Sequence, residues 1–303
     1  MAFAVSARPT IAGIGEVLWD IFPDAAHFGG APANFACHAA SLGAEAWMVS
    51  AVGTDELGDR ALAALREHSV HCTHLVQNPH RATGTVRVSL DAAGIASYEF
   101  AADTAWDHLA WSDELATLAA RCDAVCFGTL GQRSPVSRET IRRFVKAVPR
   151  AALRVFDVNL RQRFYDRETI AASLRIATAL KLNDDELPIV AELCGIHATT
   201  PREMLIELMT RYDLSLAALT RGPRGSLLIS TSEENECPAP RANVLDTVGA
   251  GDAFTATLVT DFLRGLPLAK INRHANTVAA FVCSQNGATP PLSDELRQSR
   301  ISQ

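Results

Sequence analysis

Val244-Leu245-Asp246-Thr247-Val248-Gly249-Ala250-Gly251-Asp252-Ala253-Phe254 carries an apolar run into an acidic residue, two glycines one residue apart, and a second aspartate that opens a helical pattern from Ala253 to Leu263. Small residues let backbone N–H groups turn inward, and a helix N-terminus adds partial positive charge. Together they hold an anion, usually a phosphate. A carboxylate at the mouth of such a site repels phosphate. Asp252 therefore reads either as a helix cap or as a base that takes the proton of an incoming hydroxyl during phosphoryl transfer. The stretch is not a Walker P-loop, because no Gly-Lys-Ser/Thr follows.

Working outward, the whole chain has 303 residues, 48% of them hydrophobic and 20% charged, enough for one large core. A net charge of −6 without a Lys/Arg block argues against nucleic acid as a partner. No apolar run approaches the roughly 20 residues that span a bilayer, so no membrane association is expected. Met1 to Pro9 lacks a charged n-region and reads as a short tail rather than a signal peptide. Seven scattered cysteines read as buried thiols in a reducing compartment, which implies a cytoplasmic location. No His/Cys cluster has metal-ligand spacing, and no Gly-x-Ser-x-Gly elbow suggests a hydrolase. His38 and His274, on helical patterns, read as satisfied polar residues.

Thr10 to Gly15 reads as a buried first strand followed by Glu16-Val17-Leu18-Trp19-Asp20. The third glycine of a dinucleotide fingerprint is missing and no helix pattern follows, which disfavours a nicotinamide oxidoreductase. Asp20 sits where ligands of open α/β sheets bind, or is a turn residue before Pro23. Gly29 and Gly30 precede a helix from Phe35 to Leu42 and allow close approach of a small ligand. Asn34 offers a donor and an acceptor, or caps that helix. A strand is expected over Ala46 to Val52 and a helix over Asp59 to Glu67. Thr83 to Phe100 reads as a β-hairpin turning at Asp91-Ala92-Ala93-Gly94, outside the main layer. From Trp111 onward strands and helices alternate, implying a mostly parallel sheet covered on both faces. Ser230 to Arg241, rich in charge and proline, is expected to be the least ordered stretch.

Asp-Thr-Val-Gly-Ala-Gly-Asp resembles the C-terminal signature of the ribokinase-like (PfkB) carbohydrate kinases. Gly-Gly-Ala-Pro-Ala-Asn, with the following Leu-Gly-Ala and Val-Gly-Thr-Asp, resembles the N-terminal one more than 200 residues earlier. The resemblance runs from Gly15 to Ala288. It implies an α/β fold, a three-layer α/β/α sandwich with a mostly parallel sheet, forming a single domain over 1–303. Segments at about 16–30 and 82–104 would make a small β lid, which can also serve as a dimer surface. The implied activity is ATP-dependent phosphorylation of a sugar hydroxyl.

Carried over residue by residue, Asp252 is the implied base, and the backbone of Gly249, Ala250 and Gly251 the anion hole. Asp20, Gly29, Gly30 and Asn34 would hold the sugar. Arg161, in an Asp-x-Asn-x-Arg segment beginning at Asp157, would meet substrate or phosphate; the alternative is a salt-bridged surface turn. Asn183 and Glu186 match an Asn-x-x-Glu motif that holds Mg²⁺ through water, against a competing reading as an acidic capping box. Thr220 and Gly222 would contact ATP, with Gly225 shaping the loop, and Asn276 would face adenine. Asp246 and Gly287 match a monovalent-cation (K⁺) site. Fructose is the expected sugar, with 2-keto-3-deoxygluconate next and ribose or a nucleoside behind. A non-catalytic sugar or nucleotide sensor on the same scaffold is the alternative class.

Overall fold

The structure, a computed structural model, describes residues 8–90 and 96–298; the expected hairpin turn at Asp91–Gly94 lies outside them. The first strand, β1 (Thr10–Ile14), is followed by β2 (Leu18–Ile21), β3 (Ala26–Gly29), helix α1 (Ala31–Ser41), β4 (Glu45–Gly53), α2 (Glu56–Glu67) and β5 (Leu75–Asn78). Then come β6 (Gly84–Leu90) and β7 (Ala96–Phe100), α3 (Asp113–Ala119), β8 (Ala124–Phe127), α4 (Pro135–Ala147) and β9 (Leu153–Asp157). Next are α5 (Arg167–Ile176), β10 (Ala179–Asn183), α6 (Glu186–Leu193), α7 (Pro201–Tyr212) and β11 (Leu216–Thr220). The chain continues through β12 (Ser226–Ser230), β13 (Glu234–Cys237), α8 (Ala250–Leu263), α9 (Leu268–Cys283) and α10 (Asp294–Arg297).

Among the described residues, nine strands form one sheet in the order β13-β12-β11-β10-β9-β8-β1-β4-β5. Its pairings are parallel except at one edge, where β12 runs antiparallel to β11 and β13 to β12. Strand side chains alternate between faces. Ala12 and Ile14 of β1, with Val125 and Phe127 of β8, join the core under α3 to α7. Ile11, Ala124 and Cys126 join the opposite core under α1, α8 and α9. The continuous burial of these strands is what helices on both faces require. Ser230–Arg241 departs from expectation, because Glu234–Cys237 pairs with β12 as the edge strand; its Glu-Asn-Glu-Cys spelling suits a solvated edge despite the charge.

The second sheet, β3-β2-β6-β7, is built from the two segments expected to leave the main layer. β2 leaves the end of β1 through Gly15, whose φ of 148° turns the chain away from the main sheet. β6 enters through a joint of fixed geometry. Asp55 caps α2 by accepting from Gly58 N at 2.8 Å, and it also accepts from Thr83 N (2.8 Å) and Thr83 Oγ1 (2.6 Å). Burial opposes the Asp55 charge, but these donors hold its pKa below the ordinary carboxylate value. On the far side, Arg133 makes a buried ion pair with Asp107 at 2.6 Å, donates to Ala101 O and lies 4.0 Å from the Trp106 ring centre.

Candidate active site

Strands β1, β8, β9, β10 and β11 run parallel, so their C-terminal ends lie along one edge of the main sheet. Gly15–Glu16, Asp157–Arg161, Asn183–Glu186 and Thr220–Gly222 all emerge there. Helices α1 and α8 both begin at this edge, and their first turns are tied together: Asn34 Nδ2 donates to Asp252 Oδ2 at 2.8 Å. Asn34 is therefore not a helix cap. The cap position is Gly30, at φ 109°, where an added Cβ would lie 2.6 Å from Glu16 O, so only glycine fits.

Asp252 occupies the first turn of α8, with Gly249 as the N-cap at φ 78°. A Cβ on Gly249 would come within 2.2 Å of Ala288 O, an oxygen that also bonds His38 Nε2 at 2.9 Å. Burial lowers the His38 pKa to about 4, so the ring is neutral and donates to that carbonyl, as a satisfied polar residue. His274 is likewise engaged at both ring nitrogens, by Asp261 and by Leu296 O.

Behind Asp252 lies a buried ion pair, where a salt-bridged surface turn was the alternative reading for the segment beginning at Asp157. Asp157, at the end of β9, accepts from Lys181 Nζ of β10 at 3.0 Å, and both side chains are less than a tenth exposed. The Thr255 hydroxyl of α8 also reaches Asp157, at 2.8 Å, and bolts the helix to the strand end. A Cβ on Gly251 would meet Lys181 Nζ at 3.0 Å, so the ammonium lies directly against the glycine turn. Burial works against the Lys181 charge, yet Asp157, Glu186 and Asp252 together raise its pKa. For Asp252, burial first and the Asp157 charge second raise the pKa to about 7, against Lys181, the Asn34 donor and Arg161.

Arg161 itself is exposed beyond β9, and its charge acts on Asp252, Glu16 and Asp20 together. Asp20 is not a turn residue. It sits mid-strand in β2, opposite His27, and burial raises its pKa against Arg161 and His27. Gly29 lies beside it: a Cβ there would be 3.2 Å from Asp20 Oδ2.

Glu186 and Asn183 hold each other reciprocally. Glu186 Oε2 accepts from Asn183 N at 2.8 Å, and Asn183 Oδ1 accepts from Glu186 N at 2.9 Å. Glu186 Oε1 accepts from Leu160 N at 2.9 Å, tying this turn to the Arg161 loop. This is the geometry of a capping box. Each carboxylate oxygen keeps a lone pair, which suits contact with a hydrated cation rather than direct coordination. Among the described residues no group of three or more His, Cys, Asp or Glu is arranged to hold a metal ion by itself.

Thr220 lies in register with Asn183, and Gly222 follows it, exposed and at φ 54°. At Gly225 a Cβ would lie 2.0 Å from Cys237 O, so the β11–β12 turn needs glycine. Arg221 and Arg224 are paired, with Glu236 and Asp184 respectively. Asn276 is buried, and its amide nitrogen donates to Ser226 Oγ (2.6 Å) and Asn272 O (2.8 Å). Asp246 Oδ2 accepts from Gly287 N at 3.3 Å, which brings these two positions together.

Three residues escaped the sequence reading: Glu16, Lys181 and Thr255. Glu16 is 2% exposed, and its Oε2 has no partner among the described residues. An acidic side chain set directly between a buried strand and an apolar run was the available signal.

The chain matches the pfkB family carbohydrate kinases over residues 25–295. It is 31% identical to an uncharacterised sugar kinase of Pyrococcus horikoshii, over 94% of each chain. The solved structure of that kinase in complex with ATP superposes with a TM-score of 0.79, covering 95% of this chain and 99% of that one. A fructokinase of Klebsiella pneumoniae is 28% identical, over 94% of this chain and 97% of the relative. The aminoimidazole riboside kinase of Salmonella typhimurium is also 28% identical, over 93% and 92%. The paired glycine turns, the aspartate at the start of α8 and this match over nearly the whole length converge: the chain belongs to the pfkB family of carbohydrate kinases, phosphotransferases that act on an alcohol group of a sugar.

Proposed function

We propose that this sugar kinase uses ATP to phosphorylate a hydroxymethyl group of fructose, with Asp252 as the base. The observation that carries the reading is Asp252 itself. It lies half-buried in the first turn of α8, beside the Gly249–Gly251 backbone, oriented by Asn34, with a pKa of about 7. A base is most effective when its pKa lies near the working pH.

The sugar sits under the second sheet, against Asp20, Gly29, Gly30 and Asn34. Its hydroxyl gives its proton to Asp252 as its oxygen bonds to the γ-phosphorus of ATP, and the bond from that phosphorus to the bridging oxygen of ADP breaks. The N–H groups of Gly249, Ala250 and Gly251 stabilise charge on the transferring group, and donors of this kind are worth about 3 kcal/mol each. Thr220, Gly222, Gly225, Asn183 and Asn276 form the nucleotide side. Glu186 would hold Mg²⁺ through water, and the ion would supply charge neutralisation on the phosphates. Asp246 and Gly287, brought together by their hydrogen bond, would be the place for K⁺. The segments at about 16–30 and 82–104 act as a lid that excludes water from the phosphates.

The fructose assignment rests on the Asp-x-Asn-x-Arg segment and on the fructokinase relative. Replacing Asp252 by Asn keeps the hydrogen-bonding shape and removes the base. Turnover should fall by about two to four orders of magnitude, while ATP affinity by calorimetry stays within about twofold. A variant that turned over at near the normal rate would remove Asp252 from the chemistry.

A further inference from the structure

Glu16 has no place in the chemistry just described, yet its position is demanding. It follows β1 directly, is almost wholly buried, and is packed against Gly30 and Gly131. Its carbonyl oxygen fills the space a Cβ on Gly30 would need, and a Cβ on Gly131 would come within 3.3 Å of its Oε2. The N–H of Ala31, first residue of α1, faces its carboxyl. One turn further along α1, Asn34 donates to Asp252. A buried carboxylate oxygen without a donor is costly unless it carries a proton, and Oε2 has no partner among the described residues.

We propose that Glu16 is a positioning residue for Asp252: one carboxyl oxygen fixes the first turn of α1, and with it Asn34, while the other carries the proton that keeps the Glu16–Asp252 pair at a single negative charge. This rests on Asp252 being the base.

The surrounding charges fit this role. Asp252 faces Asn34 of α1, Asp157 of β9, Lys181 of β10 and Arg161 of the β9–α5 connection; Glu16 faces Asp252 and Arg161. Cys126 of β8 faces both, with a thiol that burial keeps neutral. The Asp157 and Lys181 charges cancel as a pair. Arg161 is then left against Glu16, Asp252 and Asp20, so one proton on the pair relieves the excess of negative charge. Burial raises Glu16 to about 7, and the Asp252 charge adds to that rise.

The test compares Glu16→Gln and Glu16→Ala with the unaltered enzyme. The readouts are the pH profile of kcat/KM and, independently of turnover, the titration of the Asp252 carboxyl carbon by NMR. Gln keeps an oxygen for the Ala31 N–H but cannot become negative. Like the protonated acid, Gln is neutral, so the acid-limb midpoint and the Asp252 titration should stay where they are in the unaltered enzyme, while the second step that ionisation of Glu16 imprints on the Asp252 signal at more alkaline pH should disappear. Ala also loses the contact to α1, and its kcat at alkaline pH should fall about tenfold below that of the Gln variant, with the KM for ATP unchanged. An Asp252 midpoint that falls by about half a unit or more in the Gln variant would mean that Glu16 is ionised while Asp252 titrates, and an Asp252 signal with no second step in the unaltered enzyme would mean that Glu16 is only structural; either would overturn the proposal. If the Ala variant fails to fold, the Gln titration alone decides. Loss of the base reading is separable, since Asp252→Asn would then retain turnover whatever Glu16 does.

Discussion

Asp252 and Glu16 each hold a proton that an exposed carboxyl would have released, because burial and a neighbouring negative charge act in the same direction. A base works only when ionised, so activity governed by Asp252 is present above its pKa and lost below it. With that pKa raised from 3.8 to about 7, kcat/KM should fall about tenfold per unit below neutrality, with a midpoint near 7 in steady-state assays. An acid limb with its midpoint near 4 would mean that Asp252 is solvated and unperturbed in the working enzyme. The same shifts have a folding consequence of the opposite sense. Between their unfolded values and about 7, the folded chain binds protons that the unfolded chain has released. Stability contributed by these two groups therefore falls as pH rises through that window.

Much of this site could be read at the residue scale. Gly249 and Gly30 are legible because close approach and positive φ leave glycine as the choice. The Asp157–Lys181 pair was not, because its members lie on different strands, 24 positions apart, and nothing in either local sequence marks them as buried. Asn34 was visible as a polar residue on an Ala-rich helix, but its partner is 218 positions away. Long-range hydrogen bonds of this kind are set by how α1 meets α8, which no local pattern encodes.

At the scale of elements, alternation of strand and helix made the parallel sheet legible, and period-2 patterning set off the β6–β7 hairpin. The reversal of β12 and β13 at the sheet edge was not legible, because a short polar strand and a charged loop have the same composition. Sequence also gives no view of the joint between the two sheets. There Asp55 accepts from Gly58 on α2 and from Thr83 at the entrance to β6, while Gly53 N donates to Thr83 Oγ1 at 2.9 Å. Asp55→Ala removes a helix cap and leaves buried Thr83 donors unpaired, so it should cost about 1–3 kcal/mol by urea denaturation. Because Thr83 leads directly into β6, the same variant should raise the KM for sugar more than that for ATP. An equal effect on both constants would mean that the joint serves stability alone.

For the whole molecule, the two-sheet arrangement puts the four-stranded sheet beside the edge where the parallel strands end. Asp20 lies on that sheet, while Asp252, Asn183 and Thr220 lie on the main body. A sugar bound between them would be contacted from both sides and would complete the enclosure, so ATP should be spent only when the acceptor is present. Gln162, in the Arg161 loop, already reaches Tyr98 O of β7 at 2.5 Å, and Phe164 meets Phe100 edge-on with ring centres 5.5 Å apart, so the two bodies are in contact on this side.

The measurement that bears most directly on the account is ADP formation by the purified protein with ATP and Mg²⁺. It should be run without sugar and with fructose, 2-keto-3-deoxygluconate, ribose, tagatose or adenosine, each with and without K⁺. The account predicts slow hydrolysis without acceptor and turnover with fructose well above the other compounds. Fast ATP hydrolysis unaffected by any sugar, or a clear preference for an acceptor other than a ketohexose, would contradict it.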